Sequence, residues 1–150
     1  MDDADVASLV AGCVCCPYHG MWQTSPFAER TISGVRHALV AVDPELSALA
    51  LRRDDGSLWF LPEGGVPRLV NSSVEAFVAF NRAYEEATAE ADAYEWPDGL
   101  SEDETVDLVE QAGDALTEAL LERFRALDAE AVADENSFWH IGAEELGYGM

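Results

Sequence analysis

The residues best suited to chemistry stand near the start of the chain, in Cys13-Val14-Cys15-Cys16-Pro17-Tyr18-His19. Three thiols and an imidazole are donors enough for a zinc ion. Structural zinc sites, however, separate their cysteines by about two to four residues, so that both sulfurs can turn to one ion. Cys-x-Cys-Cys lacks that spacing, and no second paired knuckle follows. The expectation is no metal and no cofactor, with Cys13, Cys15 and Cys16 acting as small apolar side chains. A metal-binding protein built on these cysteines and His19 stands as an alternative of a different class. Adjacent cysteines pair poorly and their number is odd, so a disulfide scaffold is not expected, in keeping with a reducing compartment.

A nucleophilic site needs a serine or cysteine beside a histidine. The histidines are His19, His37 and His140, and none lies in a catalytic signature. Gly-x-Ser-x-Gly is absent, and neither Gly34 nor Gly64-Gly65 leads to the lysine of a phosphate loop, because the chain has no lysine. His140 and Glu144 are one helical turn apart, a pairing expected to be a surface contact. Nothing in these patterns compels catalysis, and the expectation is a non-enzymatic binding protein.

Charge is more informative. Thirty acidic residues face eight arginines in 150 residues, for a net charge of -22. Such a chain is repelled by nucleic acid and by anionic membrane, and it draws a cationic partner. From Glu85 to Asp114 there is no basic residue, and twelve carboxylates fall in that stretch: Glu85, Glu86, Glu90, Asp92, Glu95, Asp98, Glu102, Asp103, Glu104, Asp107, Glu110 and Asp114. Helical surfaces ordinarily mix signs, since like charges at i,i+4 cost a few tenths of a kcal/mol each. A partner-binding role for these twelve is one explanation; a solvated, solubilising face is the plain one.

The elements that must position these residues read as an α+β fold. Residues 2–12 suit a short helix, with aspartates in its first turn where the macrodipole favours them. Cys13 to Ser25 reads as irregular, and residues 1–31 otherwise carry no pattern that fixes their place. Ile32 to Val42 suits a strand closed by Asp43-Pro44. Residues 47–53 and 57–61 flank Asp54-Asp55-Gly56, a strong hairpin signal because glycine accepts positive φ. A turn at Glu63-Gly64-Gly65 leads to a third strand over 66–70, with Pro67 confined to a strand start or an edge. The meander thus spans residues 47–70.

The hydrophobic period then lengthens. Ser72-Ser73-Val74-Glu75 reads as a capping box opening a helix whose stripe is Val74, Phe77, Phe80, Tyr84, Ala87 and Ala91, ended by Trp96-Pro97-Asp98-Gly99. Ser101-Glu102-Asp103-Glu104 reads as a second box. The stripe behind it is Val106, Val109, Gly113, Leu116, Leu120, Phe124 and Leu127, with Gly113 marking a close packing contact. A short helix or turn from Asn136 ends at Gly147. Strands followed by helices predict one domain, an antiparallel sheet packed against helices.

Asp55-Gly56-Ser57-Leu58-Trp59-Phe60, followed by Leu69-Val70-Asn71-Ser72-Ser73-Val74-Glu75-Ala76-Phe77, resembles the SUKH superfamily, in particular its fourth subfamily of bacterial immunity proteins. Leu127 to Ala131 and Glu135 to Trp139 resemble the end of those proteins, where an aspartate and a late tryptophan recur. The likeness spans residues 38–146. It implies a sheet cradled by helices and a role in polymorphic toxin systems, where such proteins bind and block nucleases, deaminases or other toxin domains. In this light Asn71, Ser72 and Ser73 cap a helix, while Trp59, Phe77 and Trp139 pack; these motif residues are structural and do not mark the contact surface.

The expected protein is therefore a cytoplasmic immunity protein, monomeric when free. Three aspartates precede its first apolar run, the opposite of a secretory signal. It would occlude a cognate, basic toxin through residues 85–114, without nucleic acid or membrane as partner. An adaptor domain of the same fold with no toxin partner is the other reading.

Overall fold

In the computed structural model, residues 1–13 and 16–150 are described. The chain runs α1 (Asp3–Ala11), β1 (Met21–Trp22), β2 (Glu29–Ile32), β3 (Val35–Asp43), β4 (Ser47–Arg52), β5 (Leu58–Pro62), β6 (Arg68–Asn71), α2 (Val74–Asp92), α3 (Glu102–Leu127), a 3-10 turn (Ala129–Val132) and α4 (Phe138–Tyr148). The six strands form one antiparallel sheet in the order β1-β3-β4-β5-β6, with β2 also paired to β3. The expected α+β class is the observed one.

The meander forms where the turns require it. Gly56 has φ +75° in the β4–β5 turn and Gly64 has φ +70° between β5 and β6. Pro67 stands just outside β6, which is an edge of the sheet. The segment expected as one strand from Ile32 is instead divided: Ile32 ends β2 and Val35 begins β3 across a Ser33–Gly34 turn with positive φ at both residues. β1 and β2 lie one after the other along the same side of β3, opposite Val42–Ala41 and Ala38–Val35. Through β1 and β2 the N-terminal quarter thereby contributes two short strands to the sheet.

Alternation along the strands separates two faces. Leu49, Leu51, Leu58 and Phe60 join the main core, whereas Ala48, Ala50, Trp59 and Leu61 gather in a smaller cluster on the reverse face. Trp59 is half-buried in the second cluster, its indole donating to Ser57 Oγ at 2.8 Å.

On the main face α1 contributes Val6 and Leu9, and Cys13 follows them into the core. α2 and α3 meet through Phe80 stacked on Phe124, ring centroids 4.2 Å apart. Trp139 of α4, fully buried, fills the centre against Phe77, Phe80, Tyr84 and Phe124. α4 crosses α3 at Gly113 and Gly147, where a Cβ on either glycine would strike the other's backbone. The close contact expected at Gly113 is present.

Two helix boundaries, both of α2, differ from expectation. α2 is capped by Ser73, whose hydroxyl accepts from Ala76 N–H at 3.1 Å, so the cap sits one residue later than a Ser72–Glu75 box would place it. It stops at Asp92, ahead of the Trp96–Gly99 turn. α3 is capped as expected by Ser101 accepting from Glu104 N–H. Its stripe nevertheless outruns the core at both ends, leaving Val106 60% and Leu127 46% exposed.

The amino terminus is tied down electrostatically. Arg53 pairs with Asp3 and with Glu29, which also holds Arg36, and the Met1 ammonium donates to the Arg53 carbonyl. The Arg53 hydrogen bond holds the Asp3 carboxyl below its ordinary range, and the Arg36 hydrogen bond does the same for Glu29. With folded-state values depressed, these pairs favour the fold above the usual carboxylate range and lose that contribution as pH falls through it.

Candidate partner-binding surface and the motif network

The motif residues converge on a hydrogen-bond network that runs from the buried Asn71 and Trp139 out to the exposed Ser72. Asn71, fully buried at the end of β6, accepts from the Trp139 indole N–H at 2.7 Å and donates through Nδ2 to Asp128 Oδ2 at 3.2 Å. Ser72 donates to the same carboxylate twice, through its backbone N–H at 2.8 Å and its hydroxyl at 2.9 Å. Asp128 is thus the hub that ties the sheet edge and the start of α2 to the end of α3. Residues distant in sequence meet here because each buried polar group needs a partner. Asn71 and Ser72 therefore act as ligands of Asp128 and Trp139 rather than as a cap, which falls to Ser73 alone. Asp128 was legible only as a recurring aspartate; its contacts were not.

The twelve carboxylates behave differently. Glu85, Glu86, Glu90 and Asp92 lie on α2, Glu95 and Asp98 in the connection, and Glu102, Asp103, Glu104, Asp107, Glu110 and Asp114 on α3; all twelve are exposed. One hairpin of helices therefore carries them together. Among the described residues only Glu86 is ion-paired, to Arg123 at 2.6 Å. The first turn of α3 holds Glu102, Asp103 and Glu104, where the macrodipole welcomes them; the last turn of α2 has no basic residue, and Glu90 and Asp92 sit at its negative end. The α2 end is thus electrostatically strained in a way a cation would relieve. The Tyr94 and Trp96 rings face each other 4.4 Å apart in the same connection, both partly exposed.

A second concavity escaped the sequence reading. Tyr18, Phe60 and Phe138, with centroids 6.4 Å apart, wall a groove of about 250 Å³ that also reaches His19, Asp43 and Arg68. It is assembled from the segment after α1, the sheet and α4, so no local pattern announces it. Another cleft, about 510 Å³, lies between α3 and the end of α4. His140 and Glu144 do meet on α4, at 3.1 Å, but the imidazole is largely buried rather than at the surface.

Cys13 is buried and Cys16 half-buried, both as free thiols; Cys15 lies outside the described residues. No group of three or more metal-ligating side chains gathers among the described residues. Burial pushes the Cys13 thiol up to about 11 and raises that of Cys16 further. The thiolate is the reactive form, so burial slows the reaction of both near neutral pH. At pH 8, Cys13 and Cys16 should react with iodoacetamide on the order of 100-fold more slowly in the folded chain than in urea, each followed by mass mapping. Equal rates in the two states would show that neither thiol is shielded.

No helix among the described residues is long and apolar enough to cross a membrane. Compared with protein-family models, the chain matches the one described as SUKH-4 immunity protein over residues 10–145. That match starts well before residue 38 and takes in Cys13, β1 and β2. Neither the curated proteins nor the solved structures contain a match.

Proposed function

The chain belongs to the SUKH-4 immunity protein family, and we propose that it neutralises a basic toxin domain by covering an essential surface of it, with residues 85–114 as the contact. The observation that carries this reading is the α2–α3 hairpin, whose twelve exposed carboxylates have a single ion-pair partner between them among the described residues. A surface of that kind speeds encounter with a cationic partner and selects against anionic ones. A toxin acting on nucleic acid, such as a nuclease or a deaminase, carries the complementary charge, because its own substrate is a polyanion. Binding would block it without chemistry, and the chain would act as a monomer in the cytoplasm, its charge opposing self-association.

A pull-down from the native cytoplasm with tagged protein, at low and high salt and read by mass spectrometry, tests this. The expected result is one basic toxin domain, held with a Kd on the order of nanomolar or tighter, and captured more slowly in high salt. Recovery of a housekeeping regulator in place of a toxin would favour the adaptor reading and remove the electrostatic argument.

A further inference from the structure

We propose that the cleft between α3 and α4 receives a cationic amphipathic segment of the toxin, apolar side chains inward and basic ones on the rim. The proposal rests on the toxin-binding reading and gives it a place and a chemistry.

The apolar stripe of α3 does not end where the core ends. Leu120 and Phe124 are buried, but Val106 on the same stripe is 60% exposed and Val109 is only partly covered. Tyr148, at the end of α4, is 79% exposed and lines the same cleft. These three side chains make two apolar walls that stay open to solvent among the described residues. The floor is backbone: Gly113 and Gly147 stand where a Cβ on either would meet the carbonyl of the other. The helices are therefore drawn together at the bottom and leave about 510 Å³ open above. Exposed apolar side chains gathered in one cleft and rimmed by charge suit an interaction site.

The rim states which occupant fits. Glu110 and Asp114 line the cleft, and neither has an ion-pair partner among the described residues. No basic residue lies between Arg82 and Arg123. A second copy of the chain, itself of net charge -22, is repelled from this rim. A basic segment with one apolar face satisfies both the walls and the rim. This is the helix-in-groove mode, in which apolar anchors fill the groove and charges set the orientation.

Two synthetic peptides of equal length and charge test it on the full chain. One places leucines and lysines at helical period; the other replaces every leucine with glutamine. Affinities are measured by calorimetry at fixed salt, and the site is mapped by amide chemical shifts. The amphipathic peptide should bind at least about tenfold more tightly, since it buries apolar side chains that the polar one lacks. The largest shifts should fall around Val106, Gly113 and Gly147. The double variant Val106→Ser, Tyr148→Ser should lose the tenfold preference yet bind the polar peptide as before. Both positions are exposed, so its melting temperature should be unchanged.

Equal affinities on the unsubstituted chain, shifts located elsewhere, or a preference that survives in the double variant would each overturn the proposal. The peptide experiment needs no toxin. An empty pull-down would count against the toxin reading and leave the cleft chemistry standing. A toxin captured equally well by the chain and its double variant would remove the cleft alone.

Discussion

Trp139→Ala should lower the unfolding free energy by about 4 kcal/mol, the usual cost of truncating a fully buried tryptophan. The ring is in contact with Phe77, Phe80, Tyr84 and Phe124, drawn from α2 and α3, so the void has walls from two helices that cannot close independently. For a domain whose total stability is about 5–15 kcal/mol, that is a large share. Urea melts followed by circular dichroism measure it; a loss below about 1 kcal/mol would mean the site collapses and the ring is not the centre of the core.

The hydrogen bonds of the same residue give a second, separable part. Trp139→Phe keeps most of the volume but leaves the Asn71 Oδ1 acceptor buried without its indole donor, at a cost of about 1–3 kcal/mol. Asn71→Ala strands the indole and removes one of the donors to Asp128 as well. Combined, the two substitutions should destabilise by less than their sum, because each already breaks the bond the other would break. Strict additivity would show that the 2.7 Å contact contributes nothing to folding.

This network marks the limit of what the sequence shows. Asp54-Asp55-Gly56, the Ser101 cap and the stripes of α2 and α3 are local signals, and each lies where its pattern places it, because turn sterics and a 3.6-residue period act over a few positions. Ser72 was misread for the opposite reason. A hydroxyl three residues before a glutamate fits a cap, yet its partner is Asp128, brought close only by the tertiary fold. β2 was invisible because Glu29, Arg30 and Thr31 are all exposed and show no alternation, and because Ser33, rather than asparagine or glycine, takes the first of the two positive-φ positions in its turn, ahead of Gly34. The stripe of α3 told which face is apolar but not how far the neighbouring helices reach, so Val106 read as core and proved to be surface. For the candidate contact, the twelve carboxylates were legible as a run and their exposure followed from it; the clefts were not, since their walls come from separate elements.

Removing charge from the hairpin should move stability and binding in opposite directions. The substitutions Glu90→Gln, Asp92→Asn, Asp107→Asn and Glu110→Gln avoid the first turn of α3, where carboxylates favour the helix. Two of them relieve the negative end of α2, and all four reduce repulsion within a -22 chain. The melting temperature should therefore rise by about 2–4 °C, from gains of a few tenths of a kcal/mol at each site. Association with the toxin should slow by roughly 10–100-fold at low salt, since steering depends on the charge these residues supply. Salt should reproduce both signs in the unsubstituted chain, raising the melting temperature by screening self-repulsion while slowing association. Stopped-flow association and thermal melts at two salt concentrations read the two effects. A charge kept only for solubility would give the stability gain with no change in association rate, and the hairpin would then lose its claim to be the contact. A fall in both would mean the carboxylates support the fold, contrary to their exposure and their lack of partners. Only the crossed result, a firmer fold and a slower encounter, fits a surface whose self-repulsion persists because a cationic partner relieves it.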